Sequence, residues 1–253
     1  MTRTPQTLDR SIRLLVELSR RRNMGWRLSD LARECGLDLA TASRLLAGLT
    51  AHGLVARRAS DRHFIIGPEL LNLGLAADYH VQFARAAEAV AREVALETRQ
   101  VAFVYLLCGG DFVCIARSGR SLLKALGIQV GTRRALLLSA GGVALLLALP
   151  AAQRDRMIEE NRTRIARAKD ARIEGIERML RRSLRLRYAL NRNDIVPGIT
   201  AVGAGIALPA PWHAASVSVA GPSDGLEGRT VERVVEVLER AGRALREDCS
   251  APG

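Results

Sequence analysis

Residues 28–67 hold the pattern that most restricts this chain. Two short apolar-periodic segments flank a tight turn at Gly36, and an arginine-studded hairpin follows directly. Upstream, Leu8, Ile12, Leu15 and Val16 fall at i, i+4, i+7 and i+8, which predicts a helix with those residues inward. It runs into Arg20-Arg21-Arg22, cations suited to the negative end of a helix dipole. Ser29 is the expected N-cap of a second helix that turns Leu31, Ala32 and Cys35 inward and closes at Gly36. Asp38 then caps a third helix that continues to His52, with Gly53 as its stop. Two short helices joined by a glycine-containing turn form the helix-turn-helix pattern.

The third helix divides into two faces when turned by ~100° per residue. Ala42, Leu45, Leu46 and Leu49 take the core side, leaving Ala40, Ser43, Arg44 and Ala47 outward. Small residues let a helix backbone lie deep in a groove, with methyl groups for thymine and a guanidinium for guanine or phosphate. Segments 54–58 and 62–66 read as strands around Ala59-Ser60-Asp61, placing Arg57, Arg58 and Arg62 at the tip of a hairpin. Such a hairpin is a wing able to reach phosphates or a minor groove. The expected partner of this part of the chain is double-stranded DNA.

Charge supports an anionic partner but does not locate it. The 253-residue chain carries a formal charge of +12, and Lys124 and Lys169 are its only lysines. Residues 153–193 hold 13 basic and 6 acidic residues, the densest excess, and read as two amphipathic helices with solvated faces. Cys35, Cys108, Cys114 and Cys249 form no Cys-x-x-Cys pair, which argues against a zinc site or a disulfide framework and for free thiols in a reducing cytoplasm. The apolar run 135–150 is shorter than the roughly 18 residues that span a bilayer, and so reads as buried. No membrane association and no cofactor are expected.

Past residue 82, segment 83–98 reads as a helix, with Ala86, Ala87, Val90 and Val94 inward. Segments 101–107 and 112–116 read as strands about Gly109-Gly110, 122–130 as a further strand, and 230–247 as an amphipathic closing helix. An enzyme finds little support. Gly203-Ala204-Gly205 lacks the third glycine of a dinucleotide loop, and no Gly-x-Ser-x-Gly, His-Glu-x-x-His or phosphate-loop motif is present.

The series Gly36-Leu37, Thr41, Arg44-Leu45-Leu46, Gly53-Leu54-Val55, Ile66-Gly67 and Leu70-Leu71-x-Leu73-Gly74 resembles the DNA-binding domain and linker of IclR-type transcriptional regulators. The resemblance continues through Val130-Gly131, Ser139-Ala140-x-Gly142-x-Ala144-Leu145-Leu146, Asp194-x-x-Pro197-Gly198-Ile199 and the run 216–222. It implies an α+β chain: a winged helix-turn-helix over 1–68, a linker helix over 69–82, and a GAF-like α/β effector-binding and oligomerisation domain over 83–253. Thr41 and Arg44 would contact an operator, joined by Ser29, Ala40, Ser43 and the hairpin arginines Arg57, Arg58 and Arg62. A small organic acid would lie at a helix start near Ser139, Ala140 and Gly141, with Asn191, Asp194, Ala201, Ser218 and Ala220 around it.

Departures from the family pattern are Leu39-Ala40 for Lys-Ser, Arg134-Ala135 for apolar-Pro, Val143 for Lys, Arg187 for Gly, and Gly205 for Pro. Ala201 and Ala220 stand where relatives can present Cys and Ser, which suggests a larger or more apolar ligand such as an aromatic acid. The expected whole is a cytoplasmic, ligand-responsive regulator, dimeric or a dimer of dimers, acting through the 70–81 helix. The alternative is a DNA-binding protein whose second domain only oligomerises.

Overall fold

The computed structural model describes residues 5–21, 24–119, 127–168 and 171–250. The chain forms two compact units, Met1–Val81 and Gln82–Gly253. In the first, α1 (Gln6–Arg20), α2 (Leu28–Glu34) and α3 (Leu39–Ala51) precede a hairpin of β1 (Val55–Arg57) and β2 (Phe64–Ile66), and α4 (Glu69–Leu75) follows. Its core comprises Leu14, Leu18, Trp26, Leu31, Cys35, Leu46, Leu49 and Val55.

Two sequence expectations change here. The buried stripe of α1 is Leu14 and Leu18, whereas Leu8 and Ile12 are 51% and 49% exposed. Apolar residues cover much of this helix, and packing against α2 and α3 selects the side that periodicity left open. Ser29 is not the cap of α2: Arg27 holds that position without a side-chain bond, and Ser29 is an exposed first-turn residue. Asp38 does cap α3, accepting the Thr41 N–H at 2.8 Å. Burial pushes the Cys35 thiol up to about 11, with Glu17 adding to the shift, so it stays protonated at neutral pH.

The expected helix over 70–81 is interrupted. α4 ends at Leu75, and α5 (Asp78–Thr98) starts after Ala76-Ala77. Gly74 weakens the end of α4, and Asp78 favours a fresh positive helix terminus.

The second unit is built on a six-stranded antiparallel sheet of order β5-β4-β3-β8-β7-β6. Its strands are β3 (Val101–Cys108), β4 (Asp111–Ser118), β5 (Arg133–Ala135), β6 (Ala189–Arg192), β7 (Ile199–Ala207) and β8 (Ala214–Pro222). Helices α5 and α9 (Arg229–Ser250) cover one face; α6 (Ala140–Leu147), α7 (Ala151–Arg167) and α8 (Ile173–Leu186) cover the other. Burial on both sides explains the continuous apolar run of β3: Ala102, Val104 and Leu106 enter one core, Val101, Phe103 and Tyr105 the other.

β8 solves the same problem with Ser-Val alternation. Val217 and Val219 pack toward α5 and α9, while Ser216 shares the face of α6 and bonds to the Gly141 carbonyl at 2.8 Å. Most of the strand expected at 122–130 lies outside the described residues, and 127–130 is not strand. The second basic helix stops at Leu186, and residues 189–192 form β6 instead.

Candidate DNA face and acid cavity

On the first unit, α3 presents Ala40, Ser43, Arg44, Ala47 and Gly48 to solvent, with Thr41 half-buried beside the cap. Arg44 has no side-chain partner among the described residues, so its charge is available. The hairpin is fixed by backbone pairing between Trp26 and Phe64 at 2.9 and 2.8 Å, and Trp26 Nε1 donates to the Glu17 carbonyl at 3.1 Å. Gly25 is required beside it: φ is +66°, and a Cβ would meet the Phe64 carbonyl at 2.9 Å. The anchoring role of Trp26 was not drawn from the sequence, although a tryptophan directly after a glycine was its visible signal.

The three hairpin arginines are not equivalent. Arg58 donates from Nε to Asp61 at 2.9 Å and from a terminal nitrogen to the Met24 carbonyl at 2.8 Å. The Arg58 guanidinium holds the Asp61 carboxyl well below its ordinary value. Arg58 therefore braces the turn, and its charge is neutralised by a neighbour. Arg57 lies 5.3 Å from the Phe64 ring centroid and donates to the Arg62 carbonyl at 3.0 Å. Arg62 is exposed at the tip with φ of 62°. Arg44, Arg57 and Arg62 thus carry the unneutralised charge of this surface.

In the second unit a cavity of about 100 Å³ opens at the start of α6. Beside it α6 lies close to the sheet. A Cβ on Gly141 would fall 2.1 Å from Tyr105 Cε2, and one on Gly205 would fall 2.0 Å from the Ala144 carbonyl. The Gly205 departure therefore has a packing reason: β7 needs no side chain where α6 crosses it. Ser139 caps α6, its Oγ accepting the Gly142 N–H at 2.9 Å. The Ala140 and Gly141 N–H groups, next in the first turn, have no intrahelical acceptor.

The cavity brings together Ser139, Ala140, Gly141, Asn191, Ala201, Ser218 and Ala220 of the expected set. Asp194 is not among its lining residues. Its carboxylate pairs with Arg182 at 2.6 Å and Arg178 at 3.4 Å and accepts the Arg192 N–H at 2.9 Å. Asn191 lines the cavity, yet its Oδ1 already accepts the N–H groups of Asp194 and Ile195 at 3.0 and 3.2 Å. These two residues shape the 193–199 loop, which contributes Ile195, Val196 and Ile199 to the wall.

Sequence reasoning missed Phe103, Tyr105, Ile128, Leu138, Arg134 and Arg172 as lining residues. Burial raises the Tyr105 hydroxyl far above its usual range, although its hydrogen bond with Ser218 acts the other way. Tyr105 therefore works as a neutral donor or acceptor.

Family models match both units: the IclR helix-turn-helix domain over residues 7–59 and the bacterial transcriptional regulator IclR C-terminal domain over residues 77–247. The chain belongs to the IclR family. This IclR-family chain is 24% identical over 243 residues to the HTH-type transcriptional regulator BhcR of Paracoccus denitrificans, covering 95% of this chain and 86% of that one. Its fold is similar to that of an IclR transcriptional regulator from Silicibacter sp. TM1040, with TM-score 0.79, 19% identity and 97% of each chain covered. An IclR homologue from Microbacterium hydrocarbonoxydans, solved with 4-hydroxybenzoate, matches with TM-score 0.64, 21% identity, and 98% of this chain and 100% of that chain covered.

The IclR-family chain is accordingly a DNA-binding transcriptional regulator and not an enzyme. No helix among the described residues is long and apolar enough to cross a membrane.

Proposed function

We propose that this regulator binds a palindromic operator through α3 and its hairpin, and changes its hold on DNA when a small organic acid fills the cavity at α6. The observation that carries the reading is the convergence of seven expected effector positions on one cavity at a helix start. Such a terminus favours an anion. Ala201 and Ala220, with Ile195, Val196 and Ile199, give part of the wall an apolar surface, which supports an aromatic acid. The Microbacterium relative solved with 4-hydroxybenzoate supports the same class.

Base reading falls to Thr41, Ser43 and Arg44, with Ala40 supplying a methyl group; Arg57 and Arg62 hold phosphates. Two such units are needed for a symmetric operator. Exposed Leu8 and Ile12 on α1, with Leu71 and Leu75 on α4, support self-association of the cytoplasmic protein.

Calorimetric titration of the full chain with benzoate, 4-hydroxybenzoate, pyruvate and glyoxylate tests the reading. Binding of an aromatic acid is expected. Binding of the keto acids alone would overturn the aromatic preference. Heat from none of them, nor from any aliphatic mono- or diacid, would leave the second domain as an oligomerisation module.

A further inference from the structure

Resting on the reading of α3 as the helix that meets base edges, we infer that Leu39 is a specificity-determining residue: its side chain packs on the C5 methyl of a thymine in the major groove of each operator half-site.

Leu39 is the first residue of α3 and is 55% exposed, whereas Leu46 and Leu49 of the same helix are buried. Leu37 and Leu45 pack against the core of the first unit, and Leu39 is not part of it. A single exposed leucine needs no explanation on an ordinary helix. This one occupies the turn where the second helix of a helix-turn-helix meets base edges. Asp38, one residue earlier, fixes that turn through the Thr41 N–H. At ~100° per residue Leu39 shares a ridge with Ser43 and Ala47, beside the ridge of Ala40, Arg44 and Gly48. All of these neighbours are exposed, and a Cβ on Gly48 would have nothing within 4 Å. Among the exposed residues of α3, Leu39 is the only large apolar one.

The chemistry of that side chain narrows what it can read. An isobutyl group neither donates nor accepts a hydrogen bond, so it gains nothing from phosphates or from the polar edges of guanine, adenine and cytosine. The major groove offers it one apolar feature, the thymine methyl. Against another base, Leu39 would cover a polar edge without pairing it, so the same side chain also rejects. Arg44, the single charged residue of α3, lies about 7.5 Å further along the helix axis and therefore meets a different base pair. The Lys-Ser of the family pattern would bring hydrogen-bond donors to this end of the helix, and Leu39-Ala40 brings methyl groups instead.

The test uses the full chain and an operator that it selects from random DNA. Each thymine is replaced in turn, in both half-sites, by deoxyuridine, which removes only the C5 methyl, and Kd is read by fluorescence anisotropy. At one position the wild-type chain should lose about fifteenfold, or about fourfold for each methyl group left unburied. Leu39→Ala should bind the unmodified operator at least as weakly as wild type binds the deoxyuridine form. In that variant deoxyuridine at the same position should cost less than about twofold, with Tm unchanged because the side chain is exposed. Selection repeated with Leu39→Lys should replace that thymine by guanine. Loss of the deoxyuridine effect in Ala40→Gly but not in Leu39→Ala overturns the inference. So does an operator indifferent to deoxyuridine, or an effect that persists in Leu39→Ala at every thymine. These results leave base reading by α3 intact if Arg44→Ala still weakens operator binding more than binding to random DNA. If neither Arg44→Ala nor Leu39→Ala alters that discrimination, base reading by α3 and this inference fall together.

Discussion

Gly141→Ala tests the close seating of α6 on the sheet beside the cavity. The added Cβ would lie 2.1 and 2.3 Å from Tyr105 Cε2 and Cδ2 and 3.1 Å from Ser218 Oγ. Ordinary carbon contacts are about 3.5–4.0 Å, so the ring must shift by roughly 1.5 Å. Phe103 stacks at 5.7 Å and Phe112 meets the ring edge-on at 4.7 Å, limiting movement on the sheet side. The remaining free volume for the ring is the cavity itself.

Overpacking of this kind costs about 1–3 kcal/mol, and separating Tyr105 from Ser218 adds about 1 kcal/mol. Alanine's helix advantage over glycine returns up to about 1 kcal/mol. A net loss of about 2 kcal/mol follows, which for a unit of this size lowers Tm by about 4–8 °C. Scanning calorimetry of the full chain measures it, and titration of the variant with the wild-type ligand should show binding lost. Gly74→Ala is the control: nothing lies within 4 Å of its Cβ, so it should be neutral or stabilising. A Gly141→Ala protein with unchanged Tm and unchanged acid binding would refute the packing argument.

Other expectations follow from single contacts. Asp38→Ala should destabilise the first unit, whereas Asp38→Asn should keep the cap. The Thr41 N–H lowers the Asp38 pKa. Its contribution is therefore full above the unfolded value of about 3.9 and fades as pH falls through the lower folded value. A pH series of melts should show the asparagine variant losing that dependence. Arg44→Ala should weaken operator binding more than binding to random DNA, and equal losses on both would count against base reading. Arg57→Ala and Arg62→Ala should each reduce the salt slope by about 1. Arg58→Ala should change that slope less than either, since Asp61 already holds its charge. Arg187 ends α8 at φ of 65°, so Arg187→Gly should raise stability by about 0.5–1 kcal/mol in thermal unfolding.

Local chemistry was most legible where one residue decides one feature. Asp38 announces a cap, Gly36 and Gly53 end helices, and Gly109-Gly110 closes the β3–β4 hairpin. The helical period on α3 separated core from surface because its large apolar residues Leu46 and Leu49 share one side and its small residues the other. On α1 the apolar residues span two stripes, and only tertiary packing distinguishes Leu14 and Leu18 from Leu8 and Ile12.

The cavity was legible in position but less so in chemistry. Resemblance located the start of α6 and the strands opposite, whereas the use of Asp194 and Asn191 within their own loop depends on Arg182, Arg178 and backbone groups that no linear motif encodes. Arg134 was visible as a departure from the family pattern. That it shares a cavity wall with Arg172, 38 positions away in the sequence, needs the fold.

The central claim is that acid in the α6 cavity changes operator affinity. Its most direct test is fluorescence anisotropy of an operator selected from random DNA, titrated with the full chain, with and without saturating acid, in wild type and in Ala220→Phe, whose ring fills the cavity. The wild-type chain should show a change in operator Kd of about 5- to 150-fold, the range of typical allosteric coupling. Ala220→Phe should bind the operator and show no response to the acid. An equal response in the filled variant, or none in a wild-type chain saturated with bound acid, would contradict the account.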